Sequence, residues 1–220
     1  MPTTEPAVLK PASASTHVPM TLTNLFYYIS FTSPILVIFF ITLFSIMVNN
    51  FAKGLIFNMG IVIVAVIVCI LKNTVKNKQS PSASAFCNVI PFPFTVRDGD
   101  TVYDAPSMST SILSFSSTYI IYPMMLNGQQ NYGLLSFLIV ITLVNVAVEY
   151  KQNCSNIMGL VLGLIVGIVC GILYYTMLFA ANQHNLVYFS DTISNNLQCS
   201  KPTKQNFKCE FYKNGKPYKV

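Results

Sequence analysis

The side chains able to do chemistry are few and scattered. The chain of 220 residues has seven Asp and Glu, two His and six Cys. Acid–base or nucleophilic catalysis needs such groups to converge, with a base placed to move a proton. Asp98, Asp100 and Asp104 form the densest acidic run. Asp98-Gly99-Asp100 lacks the further oxygen ligands and closing Glu of a calcium loop, so a surface turn is expected there. His17 and His184 lie in the two tails and no Cys-x-x-Cys occurs, so no metal site is expected. Glu149 stands beside Lys151 at the end of an apolar run and reads as an interfacial pair whose charges reach toward water. A Gly-rich phosphate loop and a Ser-His-Asp set are both missing.

The elements that must position these residues are apolar helices. The chain is 53% hydrophobic and 9% charged, against about 25% charged in a soluble domain. A spanning helix needs about 20 mostly apolar residues. Five segments qualify: Leu22–Val48, Leu55–Leu71, Ser107–Met125, Leu134–Val148 and Ile157–Ala180. The third carries seven hydroxyls from Ser109 to Thr118 and is the weakest span. Because hydroxyls bond back to their helix and mark helix–helix contacts, it is expected inside the bundle. The expected fold is all-α, a multispan transmembrane bundle of about five helices over 22–180. A polar arm (1–21) precedes it, a long loop (72–106) interrupts it, and a basic tail (181–220) follows, with short strands expected near 207–212. The arm lacks the basic segment of a cleavable signal peptide, so the first span is expected to stay as an anchor.

The net charge is +6, and six of the thirteen Lys and Arg lie in the last twenty residues. No basic face or nucleic-acid module is built from them. Such a tail is either simply solvated or, beside a membrane, meets anionic headgroups or an acidic protein. Alternating the spans puts Lys10, Lys72, Lys76, Lys78, Arg97 and Lys151 on the N-terminal side. The positive-inside rule then places the N-terminus in the cytosol and the tail opposite. Cys199 and Cys209 form a candidate disulfide in that tail, and a disulfide needs an oxidising compartment. Cys69 and Cys170 sit in apolar runs, as small hydrophobes do.

Gly159, Gly163, Gly167 and Gly171 recur every four residues in the last span. They share one helical face and form a groove that another helix can enter closely. Packing within the chain, self-association and a pore lining are the alternatives.

Three fragments carry a resemblance. Lys72 opens Lys72-Asn73-Thr74-Val75-Lys76-Asn77-Lys78-Gln79-Ser80-Pro81 after the second span. Pro106-Ser107-Met108-Ser109 opens the third. Glu149-Tyr150-Lys151-Gln152-Asn153-Cys154-Ser155-Asn156 precedes the fifth. Their order over roughly residues 55–180 resembles the type 2 phosphatidic acid phosphatase family. Its motifs are Lys-x6-Arg-Pro, Pro-Ser-Gly-His and Ser-Arg-x5-His-x3-Asp. Lys72, Pro106 and Ser107 match. Gln79-Ser80 replaces Arg-Pro, Met108 and Ser109 replace Gly-His, and Lys151 or Gln152 takes the place of the second His. The family reaction, as the resemblance implies it, attacks phosphate with one imidazole and protonates the leaving group with another. Neither Ser109 nor Gln152 can replace an imidazole. The resemblance therefore implies a related core without catalysis.

The expected function is a non-enzymatic structural membrane protein anchoring a large assembly. Its partners would be membrane lipids and other subunits, met through the arm, the 72–106 loop and the tail. No cofactor, nucleic acid or small-molecule substrate is expected. The Asn- and Lys-rich composition and degenerate motifs are similar to membrane proteins of large DNA viruses, where a virion inner membrane underlies a capsid with its minor capsid proteins. A small channel or transporter is the alternative, and an active lipid phosphate phosphatase a further one.

Overall fold

A computed structural model describes residues 21–88, 97–98, 101–128, 130–189, 211–213 and 216–218. Five long helices dominate: α1 (Leu22–Met47), α2 (Phe51–Val75), α3 (Met108–Leu126), α4 (Tyr132–Lys151) and α5 (Ile157–Ala180). Short antiparallel pairs join β1 (Arg97–Asp98) to β2 (Thr101–Val102), and β3 (Phe211–Lys213) to β4 (Lys216–Tyr218).

Local chemistry sets the helix ends. Thr21, Ser107 and Asn131 are N-caps whose side chains accept from Asn24, Thr110 and Leu134 N–H. The turns after α1 and α4 use Asn49 and Asn153 at positive φ, a conformation Asn tolerates better than most residues. Pro34 lies within α1, as a membrane helix allows.

The bundle is arranged around α3. Fourteen of its nineteen residues are buried, and it touches each of the other four helices. Those four are long and apolar enough to cross a membrane. Their outer faces are large and apolar, with Phe40 60% and Leu143 61% exposed. An apolar surface of that extent belongs in lipid rather than water. The chain is therefore a helical membrane bundle. The Ser-rich third segment is its enclosed centre, and four helices, not five, have the composition of spans.

Inside, Phe57, Phe115 and Tyr119 stack with Tyr174 and Tyr188 around them. Asn58 Nδ2 donates to Thr42 Oγ1 across α1 and α2 at 3.0 Å. The second span is longer than its apolar run, because the helix continues through Lys53 and Lys72, both buried. The expected tail strands fall at 211–213 and 216–218. Residues 1–20 of the N-terminal arm, Asp100 and the Cys199–Cys209 pair lie outside the described residues.

Candidate functional site

The glycine ladder is filled by α3. A Cβ at Gly163 would lie 2.9 Å from the Ser107 carbonyl oxygen, and one at Gly167 would lie 2.5 Å from that of Ser111. Gly159 faces Ala105 and Ser155, and Gly171 faces Thr118. The small face of α5 thus accepts the Ser-rich face of α3 with backbones in contact. The ladder face is therefore occupied by α3 of the same chain. The hydroxyls expected to line a path are engaged in this packing. Ser111 Oγ donates to Ser107 O at 2.7 Å, Ser114 Oγ to Leu164 O at 2.9 Å, and Ser117 Oγ pairs with Thr142 Oγ1 at 3.2 Å.

At the loop-side end of this interface lies a buried polar cluster. Glu149, only 4% exposed, is its centre. Its Oε2 accepts from Ser107 Oγ at 2.6 Å and Thr110 Oγ1 at 3.3 Å. Its Oε1 accepts from Asn145 Nδ2 at 3.1 Å, and the same Nδ2 lies 3.2 Å from Ser109 Oγ. Lys72, 7% exposed, donates to Tyr103 O at 3.2 Å. Its ammonium is close enough to Glu149 and Asp104 for their charges to act on it. Asp104 Oδ2 accepts the Asn156 N–H at 3.2 Å. Burial pushes the Asp104 carboxyl above its ordinary value, opposed by the Asn156 N–H and the Lys72 charge. Asp104 Oδ1 and Asn145 Oδ1 lack a partner among the described residues.

Helix geometry explains the convergence. Ser107 caps α3 and turns its hydroxyl to α4, while Thr110 follows one turn later. Asn145 and Glu149 are four apart and share the α4 face that meets α3. Lys72 comes from the last turn of α2.

Lys72, Pro106, Ser107 and Ser109, expected from separate fragments, come together here, all buried. Lys151 and Gln152 do not join them. Lys151 is exposed and Gln152 half-buried, because both lie past the inward face of α4. Two expectations are corrected. Glu149 is not an interfacial partner of Lys151, since its carboxylate points into the bundle toward three donors. Asp104 is not in a surface turn, since it is 6% exposed and bound to the start of α5. The missed signal for Glu149 was its i,i+4 spacing from Asn145.

A disulfide joins Cys87 to Cys154, across 67 residues of sequence. The sequence reading paired only the tail cysteines, although Cys87 and Cys154 occupy two loops on the same side of the alternating spans. Cys69 and Cys170 are not disulfide-bonded, as their apolar setting implied. The bridge ties the loop after α2 to the turn between α4 and α5. Gln79 Nε2 donates to Cys154 O at 3.2 Å and Ser84 N–H to Gln152 O at 3.1 Å alongside it.

The described residues hold no group of three or more His, Cys, Asp or Glu able to bind a metal ion. Comparison with known families, curated proteins and solved structures returns no match.

Proposed function

We propose that this chain is a non-enzymatic integral membrane protein that anchors a larger assembly. The observation that carries this reading is that the donors of the polar cluster are spent within the protein, although Asp104 Oδ1 and Asn145 Oδ1 keep no partner among the described residues. Ser107, Thr110 and Asn145 all donate to Glu149, and Lys72 donates to a backbone carbonyl. A catalytic site directs such groups at the place where a reacting atom will sit. Here they are directed at one another, which suits holding four helices in one register. The phosphatase chemistry would also need an imidazole beside Ser109. His184 follows α5, at the opposite end of the bundle from the cluster.

The disulfide bears on orientation. Its formation requires an oxidising compartment, so the loop side faces that compartment and the basic tail faces the cytosol. This is opposite to the orientation drawn from the lysine count. Lys72 weighs little in that count, because it is buried near Glu149 and Asp104. A membrane beneath a viral capsid is one setting for such an anchor, and a cellular organelle complex is another.

Cross-linking mass spectrometry on the native membrane tests the reading, with exposed Lys76 and Lys78 and the tail lysines as handles. Abundant links to one or two coat or complex subunits are expected. Links confined to the chain itself would count against it.

A further inference from the structure

The Cys87–Cys154 bond holds more than two loops. Cys87 lies in the 3₁₀ turn Ala85–Asn88. Its neighbour Phe86 packs edge-on against Tyr27 of α1, ring centres 6.1 Å apart. Tyr27, Phe86 and Cys87 pack with Phe31 of α1, Val144 and Val148 of α4, and Cys154. The turn is thus a wedge seated on α1, beside the loop-side end of α4. Directly beneath it, the same two helices part. They border a groove of about 510 Å³ lined by Phe26, Ile29, Leu36, Phe137 and Val140, with Val144 shared between groove and wedge.

The wedge and the base of its loop are fastened differently. The base is a backbone ladder that needs no disulfide: Gln79 N–H donates to Val102 O, Asp104 N–H donates to Asn77 O, and Lys78 bridges Tyr103. The wedge itself is held by the Cys87–Cys154 bond, the Tyr27–Phe86 ring contact and the hydrogen bonds from Ser84 and Gln79 to the α4–α5 turn. Opening the bond removes the one covalent fastening and leaves the hinge at 77–79 intact.

We infer that the Cys87–Cys154 disulfide is a redox latch. Closed, it clamps the Phe86 wedge onto α1; reduced, it lets the wedge lift and uncovers the loop-side ends of α1 and α4. Cys87 is half-buried, while Cys154 is 8% exposed, so a reductant meets Cys87 first. A thiolate of a dithiol reductant attacks Cys87 Sγ, and the Sγ–Sγ bond breaks. Its electron pair leaves on Cys154 Sγ, which takes a proton. The second thiol of the reductant then displaces Cys87. The reductant departs as its own disulfide, two electrons poorer, and both cysteines become thiols.

Hydrogen exchange of the full chain in lipid nanodiscs, read by mass spectrometry before and after dithiothreitol, tests this. Peptide masses first establish the bond and then its reduction. On reduction, amides at 84–88 should exchange at least about tenfold faster. The loop-side turns of α1 and α4 should exchange faster too, while the α3 segment 111–119 should keep its protection. Oxidised dithiothreitol should restore the first pattern. A Cys87→Ser and Cys154→Ser double variant should match the reduced protein without reductant. Unchanged protection at 84–88 in protein with both thiols verified would overturn the latch. So would loss of protection throughout the bundle, which would make the bond a staple of the whole fold. Absence of the bond from protein isolated without reductant would overturn it as well.

Discussion

Gly167 in α5 and Ser111 in α3 meet backbone to backbone, so that a Cβ at Gly167 would stand 2.5 Å from the Ser111 carbonyl oxygen. A carbonyl in the middle of a helix cannot give way as a side-chain tip can. The central interface of the bundle is therefore fixed by the absence of one carbon atom.

Gly167→Ala should destabilise the bundle by about 1–3 kcal/mol through overpacking. The joint change of Gly163 and Gly167 to Leu should prevent its assembly. Gly133→Ala is the control, because a Cβ there meets only the Asn131 side chain at 3.4 Å. It should stay within about 1 kcal/mol of the parent. Helix loss followed by circular dichroism during denaturation in detergent measures all three.

Removing the carboxylate at the cluster should cost more than removing a contact. Glu149→Ala leaves Ser107, Thr110 and Asn145 without their acceptor and Lys72 without a nearby charge. A loss of about 1–3 kcal/mol is expected from the buried donors left unpaired. Adding Lys72→Met to Glu149→Gln should recover part of the loss seen with Glu149→Gln alone. A double-mutant cycle would then show coupling of about 1 kcal/mol or more.

Asp104 gives a signed pH dependence. Its folded carboxyl titrates above its ordinary value because burial penalises the charge. A raised carboxyl favours the folded state while protonated. Its contribution is therefore greatest below about pH 4, the unfolded value. It declines as pH rises through the higher folded value, and is level beyond. Asp104→Asn keeps an acceptor for the Asn156 N–H and should flatten that part of the profile. Stability of both proteins measured from pH 4 to 8 would show it, and identical slopes would contradict it.

The Cys87–Cys154 bond closes a loop of 67 residues. Chain-entropy arguments assign such a closure about 4 kcal/mol, an upper figure when strain or residual structure intervenes. Because the bond fastens the wedge and not the whole bundle, Cys87→Ser should lower the denaturation midpoint by much less than this ceiling, and Cys69→Ser should have little effect. Thiol labelling of unreduced protein should modify Cys69 and Cys170 after denaturation and leave Cys87 and Cys154 untouched.

The sequence was most legible where a single periodicity decided the outcome. Four-residue spacing from Gly159 to Gly171 identified a close-packing face, and the hydroxyls of Ser107–Thr118 identified a helix turned inward. Neither pattern names its partner, because a groove of glycines suits any small-residue helix. That the two faces fit each other was visible only in three dimensions. Glu149 was misread for a related reason. At the end of an apolar run, distance along the chain suggests water, but its position two residues before Lys151 turns it to the opposite side of α4. Asp104 was hidden by its acidic neighbours, which suggested a surface turn. The disulfide was missed because proximity in sequence favoured Cys199 and Cys209, whereas Cys87 and Cys154 are brought together by the return of the chain along the bundle.

A non-catalytic polar cluster is directly testable in proteoliposomes. The reconstituted wild-type chain and its Glu149→Gln variant would be compared for release of phosphate from phosphatidic acid and for ion flux. Both proteins are expected to match empty liposomes in each assay. Phosphate release or flux by the wild type that disappears in Glu149→Gln would contradict the account and make the cluster a working site.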